Sequence, residues 1–357
     1  MATRQCGWRC LPLRRAWWCT SRKRNGGEAV DKLVLAGDIG GTKTLLQLAE
    51  VQDGAFHPIC ERRFDSAAHH DFSSLLGEFM RAAARPVDAA CFGVAGPIHD
   101  QSAKITNLGW IINGGAVGAE FGIANVRLIN DFAAVGYGIE ALHEDDVVPL
   151  QAGEPELRGT RAVLGAGTGL GEGILVWQGD HYQALPSEGG HVDFAPADED
   201  QDGLLRYLRP IFGHVSYERI LSGDGLVKIF EYLSGSGLEA ATVPLRQAML
   251  EKDPAAAISE FGLDGRDPAA VRALDLFAAI YGAQAGNLAL TALARGGVYV
   301  AGGIAPKIIA RLKHGGFVRA FNGKGRFSGL MQRIPVCVVM NPEVGLIGAA
   351  LVASRLS

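Results

Sequence analysis

No run of about 18 uncharged apolar residues occurs in the 357-residue chain, so no segment reads as a membrane-spanning helix. Cysteine is sparse. Cys6, Cys10 and Cys19 have a spacing that fits no common zinc pattern, and no histidine lies nearby to complete one. Cys60, Cys91 and Cys337 stand singly among apolar neighbours and read as small buried hydrophobes in a reducing compartment, so a cytoplasmic location is expected. Acid is absent from residues 1–27, which carry Arg4, Arg9, Arg14, Arg15, Arg22, Lys23 and Arg24. The remainder keeps 27 basic side chains against all 38 acidic ones, and an acidic body excludes nucleic acid as the main partner, because phosphate neutralisation needs a basic surface. Two nucleotide loops are also missing. Gly37 to Lys43 does not satisfy G-x-x-x-x-G-K-[ST], and Gly165 to Gly171 does not satisfy G-x-G-x-x-G.

The segment 1–31 is set apart as a basic leader, expected to be disordered or mis-started. It is Arg-rich like a targeting segment, yet it lacks the continuous apolar core of a secretory signal and is poor in serine. From residue 32 onward the chain is ordinary globular material of a length suited to roughly two domains, with 48% hydrophobic and 20% charged residues over the whole sequence. The 48 glycines are nearly twice the usual share of ~7%, and many punctuate short apolar runs where backbone approaches a ligand.

Leu33 to Ala36 reads as a strand, Gly37-Asp38-Ile39-Gly40-Gly41-Thr42 as a turn, and Thr44 to Ala49 as a returning strand. The pattern recurs: Ala162 to Leu164, then Gly165 to Gly171, then Ile174 to Trp177. Two copies of one hairpin suggest two similar lobes with a shared cleft. Val87 to Ala95 and Val126 to Ile129 are further strands. Leu226, Ile229, Phe230 and Leu233 follow helical spacing, and a longer helix is expected from Asp267-Pro268 to Gly296-Gly297. Val298 to Ala301 and Val336 to Met340 read as strands, Lys307 to Leu312 as a helix, and Asn341-Pro342 as the cap of a terminal helix.

The chemistry-bearing residues lie at the ends of these elements. Asp131 follows the strand Val126 to Ile129 and opens a helix, which is where open α/β sheets bind ligands, so it is a candidate general base; an N-cap would look the same from sequence. Consecutive glycines expose amides that form anion-binding concavities, with Thr42 and Thr168 as added donors and Asp38 as a carboxylate suited to hydrated Mg²⁺; plain hairpin turns are the alternative. Glu188 and His191 flank Gly189-Gly190, which argues for a loop presenting both to a polyhydroxyl substrate, with a structural histidine or zinc as competing readings. Glu218 fits the first turn of a helix, where acids are common.

Seven segments carry a resemblance. Gly37 to Thr42, Thr106-Asn107-Leu108-Gly109-Trp110, Ile129 to Phe132, Gly165 to Gly171, Glu188 to Phe194, Glu218-Arg219-Ile220-Leu221-Ser222-Gly223 and Ala301-Gly302-Gly303-Ile304 occur in the order and spacing of bacterial-type glucokinases. The chain resembles that family from about Leu33 to its C-terminus. The resemblance implies an α/β, two-lobed actin-like (ribonuclease H-like) ATPase fold with a central cleft. Its expected parts are a small α/β domain at 32–140, joined by a C-terminal helix at 341–357, and a large α/β domain at 141–340. It implies ATP-dependent phosphorylation of the 6-hydroxyl of D-glucose with Asp131 as base. Sugar contacts would come from Asn107, Asn130, Asp131, Glu188, His191 and Glu218. ATP contacts would come from Gly37, Asp38, Ile39, Gly40, Gly41, Thr42, Gly165, Gly167, Thr168, Gly169, Gly302 and Gly303, with Asp38 holding Mg²⁺ through water. The expected partners are D-glucose and ATP, with neither nucleic acid nor membrane, and a homodimer left open. The zinc-binding cysteine cluster of the related repressor, ORF and kinase group is missing.

Overall fold

A computed structural model describes residues 17, 18, 32–52, 55–105 and 107–356. Apart from the backbone at 17 and 18, which pairs with 55 and 56, the expected leader lies outside the described residues, as does Thr106. The chain forms two compact units. One takes the chain up to Glu144, Gln178–Pro186 and the chain from Glu343 on; the other takes Asp145–Trp177 and Ser187–Pro342.

The first unit is built on strands β1 (Lys32–Ile39), β2 (Lys43–Gln52), β3 (Ala55–Asp65), β4 (Ala89–Val94) and β5 (Asn125–Asn130), which lie side by side in the order β3-β2-β1-β4-β5. β1 and β2 form the expected antiparallel hairpin, and β4 and β5 add parallel to it. Side chains alternate across β1, so Leu35 and Ile39 join Leu75 and Phe79 of helix α1 (Phe72–Ala83) in one core, while Val34 and Ala36 join the C-terminal helix Val344–Arg355 in another. A sheet buried on both faces reads as a near-continuous apolar run.

The first reversal is tighter than the sequence suggests. Gly37, Asp38 and Ile39 belong to β1, and only Gly40 to Thr42 turn. Packing is the reason: Ile39 is fully buried, and a β-carbon at Gly37 would lie 2.6 Å from Phe92 Cδ1. Helix α2 (Asp131–Gly138) follows β5 without a loop, and the C-terminal helix presses against it. A β-carbon at Gly348 would overlap the Ala134 carbonyl, and one at Gly138 the Val344 carbonyl. The expected Asn341-Pro342 cap is absent from that helix, which begins at Val344; the Asn341 amide donates to Asp146 Oδ1 at 3.0 Å instead.

The second unit repeats the plan. Strands β6 (Val147–Gln151), β7 (Arg161–Ala166), β8 (Leu170–Trp177), β9 (Gly297–Ala301) and β10 (Val336–Val339) lie in the order β6-β10-β9-β7-β8, with β7 and β8 an antiparallel hairpin and β9 and β10 parallel to β7. Here too the turn shrinks, to residues 167–169. Helix α3 (Gly223–Gly235), through Leu226 and Ile229, packs in one core with helix α4 (Pro268–Ala292), which lies against β7 and β9 of this sheet. Asp267 caps α4 by accepting from Ala270 N–H at 2.8 Å. Its end comes at Leu293, in the left-handed conformation, before the expected glycine pair.

Candidate active site

Asp38 and Asp131 belong to one carboxylate pair in the first unit. In the sheet register Asp38 is opposite Gly93 of β4, and Val94 is opposite Asn130 of β5, so the ends of three parallel strands bring the two acids to one rim. Gly93 makes the approach feasible: a β-carbon there would lie 3.7 Å from Asp131 Cα and 3.1 Å from Ala134 Cβ. The capping role falls to Asn130, whose Oδ1 accepts from Phe132 N–H at 2.9 Å and Ala133 N–H at 3.1 Å. Asp131 therefore occupies the first helical position. Its Oδ1 accepts from the Asn130 amide at 2.9 Å and from Phe132 N–H at 2.8 Å, which orients the carboxylate.

Asp38 remains accessible to solvent yet is crowded by surrounding protein. That desolvation, reinforced by the Asp131 charge and only partly opposed by Arg63, pushes its pKa up to about 6. Two carboxylates on one rim suit a hard cation held by one or two of them together with phosphates, as Mg²⁺ is in nucleotide sites. Among the described residues no group of three or more His, Cys, Asp or Glu is arranged to hold a metal.

Both glycine turns are braced from behind. In the first, Gly40 N–H donates to Lys43 carbonyl at 3.0 Å, and Ser66 Oγ donates to Gly40 carbonyl at 3.0 Å. Asn107, expected at the sugar, has its side chain against this turn, where a β-carbon on Gly41 would be 3.4 Å from Asn107 Nδ2. In the second, Gly167 N–H donates to Gly169 carbonyl at 2.8 Å, and the buried Tyr281 hydroxyl accepts from Ala166 N–H at 3.0 Å. Gly302 has φ +80°, and a β-carbon there would be 2.5 Å from Ala166 carbonyl oxygen, so the Gly302-Gly303 bend lies beside this turn. Thr42, Thr168, Gly302 and Gly303 are exposed, whereas Gly37, Ile39 and Gly165 are buried within strands and offer backbone only.

The second unit brings Glu188, His191 and Glu218 together. His191 Nε2 lies 3.9 Å from Glu188 Oε2, and its Nδ1 lies 3.8 Å from Glu218 Oε1. Both separations exceed hydrogen-bond length, so the imidazole stands between two carboxylates without being locked to either. The 188–191 segment is a one-turn 3₁₀ helix (Gly189–His191) rather than an open loop, because Gly190 lies so close to β8 that a β-carbon would overlap the Leu170 carbonyl. Glu218 is not in the first turn of α3. It sits in a separate 3₁₀ turn, Tyr217–Arg219, and its Oε2 accepts from Leu170 N–H at 3.0 Å, tying it to the second glycine turn. Sequence reasoning missed Gly93, Ser66, Tyr281 and the buried Glu172; the first is one glycine among many, and the others belong to no motif.

Carboxylate-bearing strand ends beside glycine turns, on two repeated α/β units, define a phosphotransferase of the two-lobed actin-like ATPase class. Similarity to known proteins narrows this. A family model described as glucokinase matches residues 35–356. A glucokinase of Nostoc punctiforme is 46% identical over 339 residues, covering 91% of this chain and 99% of the relative. One of Pectobacterium atrosepticum is 39% identical, covering 88% and 95%. The solved glucokinase of an Antarctic psychrotroph is 31% identical with a TM-score of 0.82, covering 91% of this chain and 99% of that one. The chain belongs to the glucokinase family.

Proposed function

We propose that this enzyme transfers the terminal phosphoryl group of ATP to the 6-hydroxyl of D-glucose, giving glucose 6-phosphate and ADP. The observation that carries the reading is the oriented Asp131 carboxylate on the strand rim it shares with Asp38. Asn107, Asn130, Glu188, His191 and Glu218 hold the sugar. Asp131 accepts the proton of the 6-hydroxyl as that oxygen bonds to the γ-phosphorus and the bond to the ADP oxygen breaks. The transition state is loose, so alignment and charge stabilisation supply most of the rate. Within the turns Gly37 to Thr42 and Gly165 to Gly169, the amides of Gly41, Thr42, Thr168 and Gly169 and the Thr42 and Thr168 hydroxyls donate to phosphate oxygens, the Gly40, Ala166 and Gly167 amides being given to Lys43, Tyr281 and Gly169, and Gly302-Gly303 receives the adenosine end. Asp38 would hold Mg²⁺, through water. When bound, Mg²⁺ neutralises charge on the terminal phosphates.

The domains at 32–140 with 341–357 and at 141–340 serve as the two lobes, except that 141–144 and 178–186 pack with the first unit and 341–342 with the second. A cytoplasmic location is supported by Cys60, Cys91 and Cys337 standing as thiols. No helix among the described residues is long and apolar enough to cross a membrane. Light scattering tests the homodimer. A coupled assay across a panel of sugars and phosphoryl donors tests the reaction: glucose with ATP should give the highest kcat/KM. Chelation should stop turnover and Mg²⁺ alone should restore it, while a need for Zn²⁺ would count against the assignment.

A further inference from the structure

Glu172 lies under both sugar-binding turns and takes no part in the phosphoryl transfer itself. It stands on β8, opposite Leu164 of β7, with 3% of its surface exposed. Its Oε1 accepts from Gln284 Nε2 at 2.8 Å, and Gln284, on α4, is itself 3% exposed. Its Oε2 occupies the place a β-carbon on Gly189 would take. Gly189 N–H meanwhile donates to Ser187 Oγ at 3.0 Å, so the glycine is held between a hydroxyl and a buried carboxyl. The network continues on the other side. Asn287 Nδ2 donates to Gln284 Oε1 at 3.1 Å and to Tyr217 Oη at 3.0 Å, and Lys324 Nζ donates to Asn287 Oδ1 at 2.7 Å. Tyr217 begins the turn that carries Glu218.

We propose that Glu172 is a positioning residue for glucose, fixing the Glu188 to His191 turn through Gly189 and, through Gln284 and Asn287, its register with the Glu218 turn. A buried polar network of this kind specifies one arrangement only while every member keeps its partner. The inference rests on the proposed sugar site. Burial pushes the Glu172 carboxyl up to about 7, so its neutral form is within easy reach and Gln is a close isostere.

Glu172→Ala should raise KM for glucose roughly tenfold or more, since a displacement of about 1 Å can cost up to ~10²-fold, while KM for ATP stays near wild type and kcat falls less than KM rises. Glu172→Gln should restore glucose KM to within about threefold of wild type, as the Gln284 contact keeps its acceptor. Gly189→Ala attacks the same contact from the other side. It should raise glucose KM in the wild-type background and do so much less in the Glu172→Ala background, where the obstructing oxygen is gone. Unchanged glucose KM in Glu172→Ala, equal effects on both substrates, or a Gly189→Ala effect independent of residue 172 would overturn the proposal. If Glu172→Ala does not fold, Gly189→Ala decides by itself, and a wild-type glucose KM there overturns it. Failure of the wild-type enzyme to phosphorylate glucose is a separate result, read first, and it overturns the sugar-kinase reading itself.

Discussion

Asp131 and Asp38 share a strand rim but have opposite tasks, and substitution separates them. Asp131→Asn keeps the shape and the hydrogen bonds from Asn130 and Phe132 while removing the base, so kcat should fall by about 10²- to 10⁴-fold with glucose binding largely kept. Near wild-type kcat in the purified variant would remove Asp131 from the role. For Asp38 the sign follows from its raised pKa. A carboxyl that holds its proton more tightly folded than unfolded favours the folded state below about pH 4, and that advantage is lost as pH rises through about 6. Asp38→Asn should therefore raise the Tm of the nucleotide-free enzyme at pH 8 but not at pH 4. Solvent access screens the repulsion, which limits the gain to about 2 °C. Equal Tm values at pH 8, measured by calorimetry, would show that the pair carries no such repulsion. At the sugar, Glu188→Ala and Glu218→Ala should each raise glucose KM steeply and leave ATP KM unchanged, because each removes an acceptor that a sugar hydroxyl needs once the bound sugar has lost its water. Glu218 should have the larger effect: it is 29% exposed against 86% for Glu188.

At the scale of elements, the glycines divide into those that turn the chain and those that let elements touch. Gly40 and Gly41 turn it. Gly93, Gly138 and Gly348 allow contact, and together they set α2, and so Asp131, against β4 and the C-terminal helix. Gly348→Ala drives a methyl into the Ala134 carbonyl. Overpacking of this kind costs about 1–3 kcal/mol, so Tm should drop by roughly 2–10 °C, and kcat should fall because the displaced helix carries the base. A thermal scan and steady-state kinetics on one sample check both, and an unchanged Tm would mean that the helices part freely. The hairpins, the long α4 helix and the α/β class were legible because apolar period and turn chemistry agree there. Strand ends were less so: Gly37 to Ile39 look like a turn until Phe92 is packed against them. Glu172 was illegible for a related reason. In an alternating strand flanked by Gly171 and Gly173, a glutamate reads as solvent-facing, and only α4, more than 100 positions away in sequence, supplies the Gln284 amide that allows its burial.

At the scale of the whole molecule the first unit gathers three separate stretches of chain, and no shift in composition marks the Gln178–Pro186 excursion that completes it. Its core strand begins at Lys32, with Val34 to Ala36 fully buried, so deleting residues 1–30, and with them only the short pairing of 17 and 18 on 55 and 56, should leave Tm and kcat nearly unchanged. Loss of folding would show that the basic segment contributes to the core. Ligand linkage gives the last test. A ligand that binds only the folded enzyme stabilises it by about 2.7 kcal/mol at a hundredfold excess over Kd, which for units of this size corresponds to roughly 5–10 °C in Tm. Glucose should produce that rise without nucleotide, because Glu188, His191 and Glu218 are brought together by the second unit's own packing. The rise should disappear in Glu218→Ala yet persist in Asp131→Asn, whose amide preserves the shape of the site. Calorimetry with glucose, and with a non-binding sugar as control, reads it directly. A glucose-dependent rise that survived in Glu218→Ala would move the sugar to a different set of residues, while loss of the rise in Asp131→Asn would make Asp131 a principal binding group as well as the base.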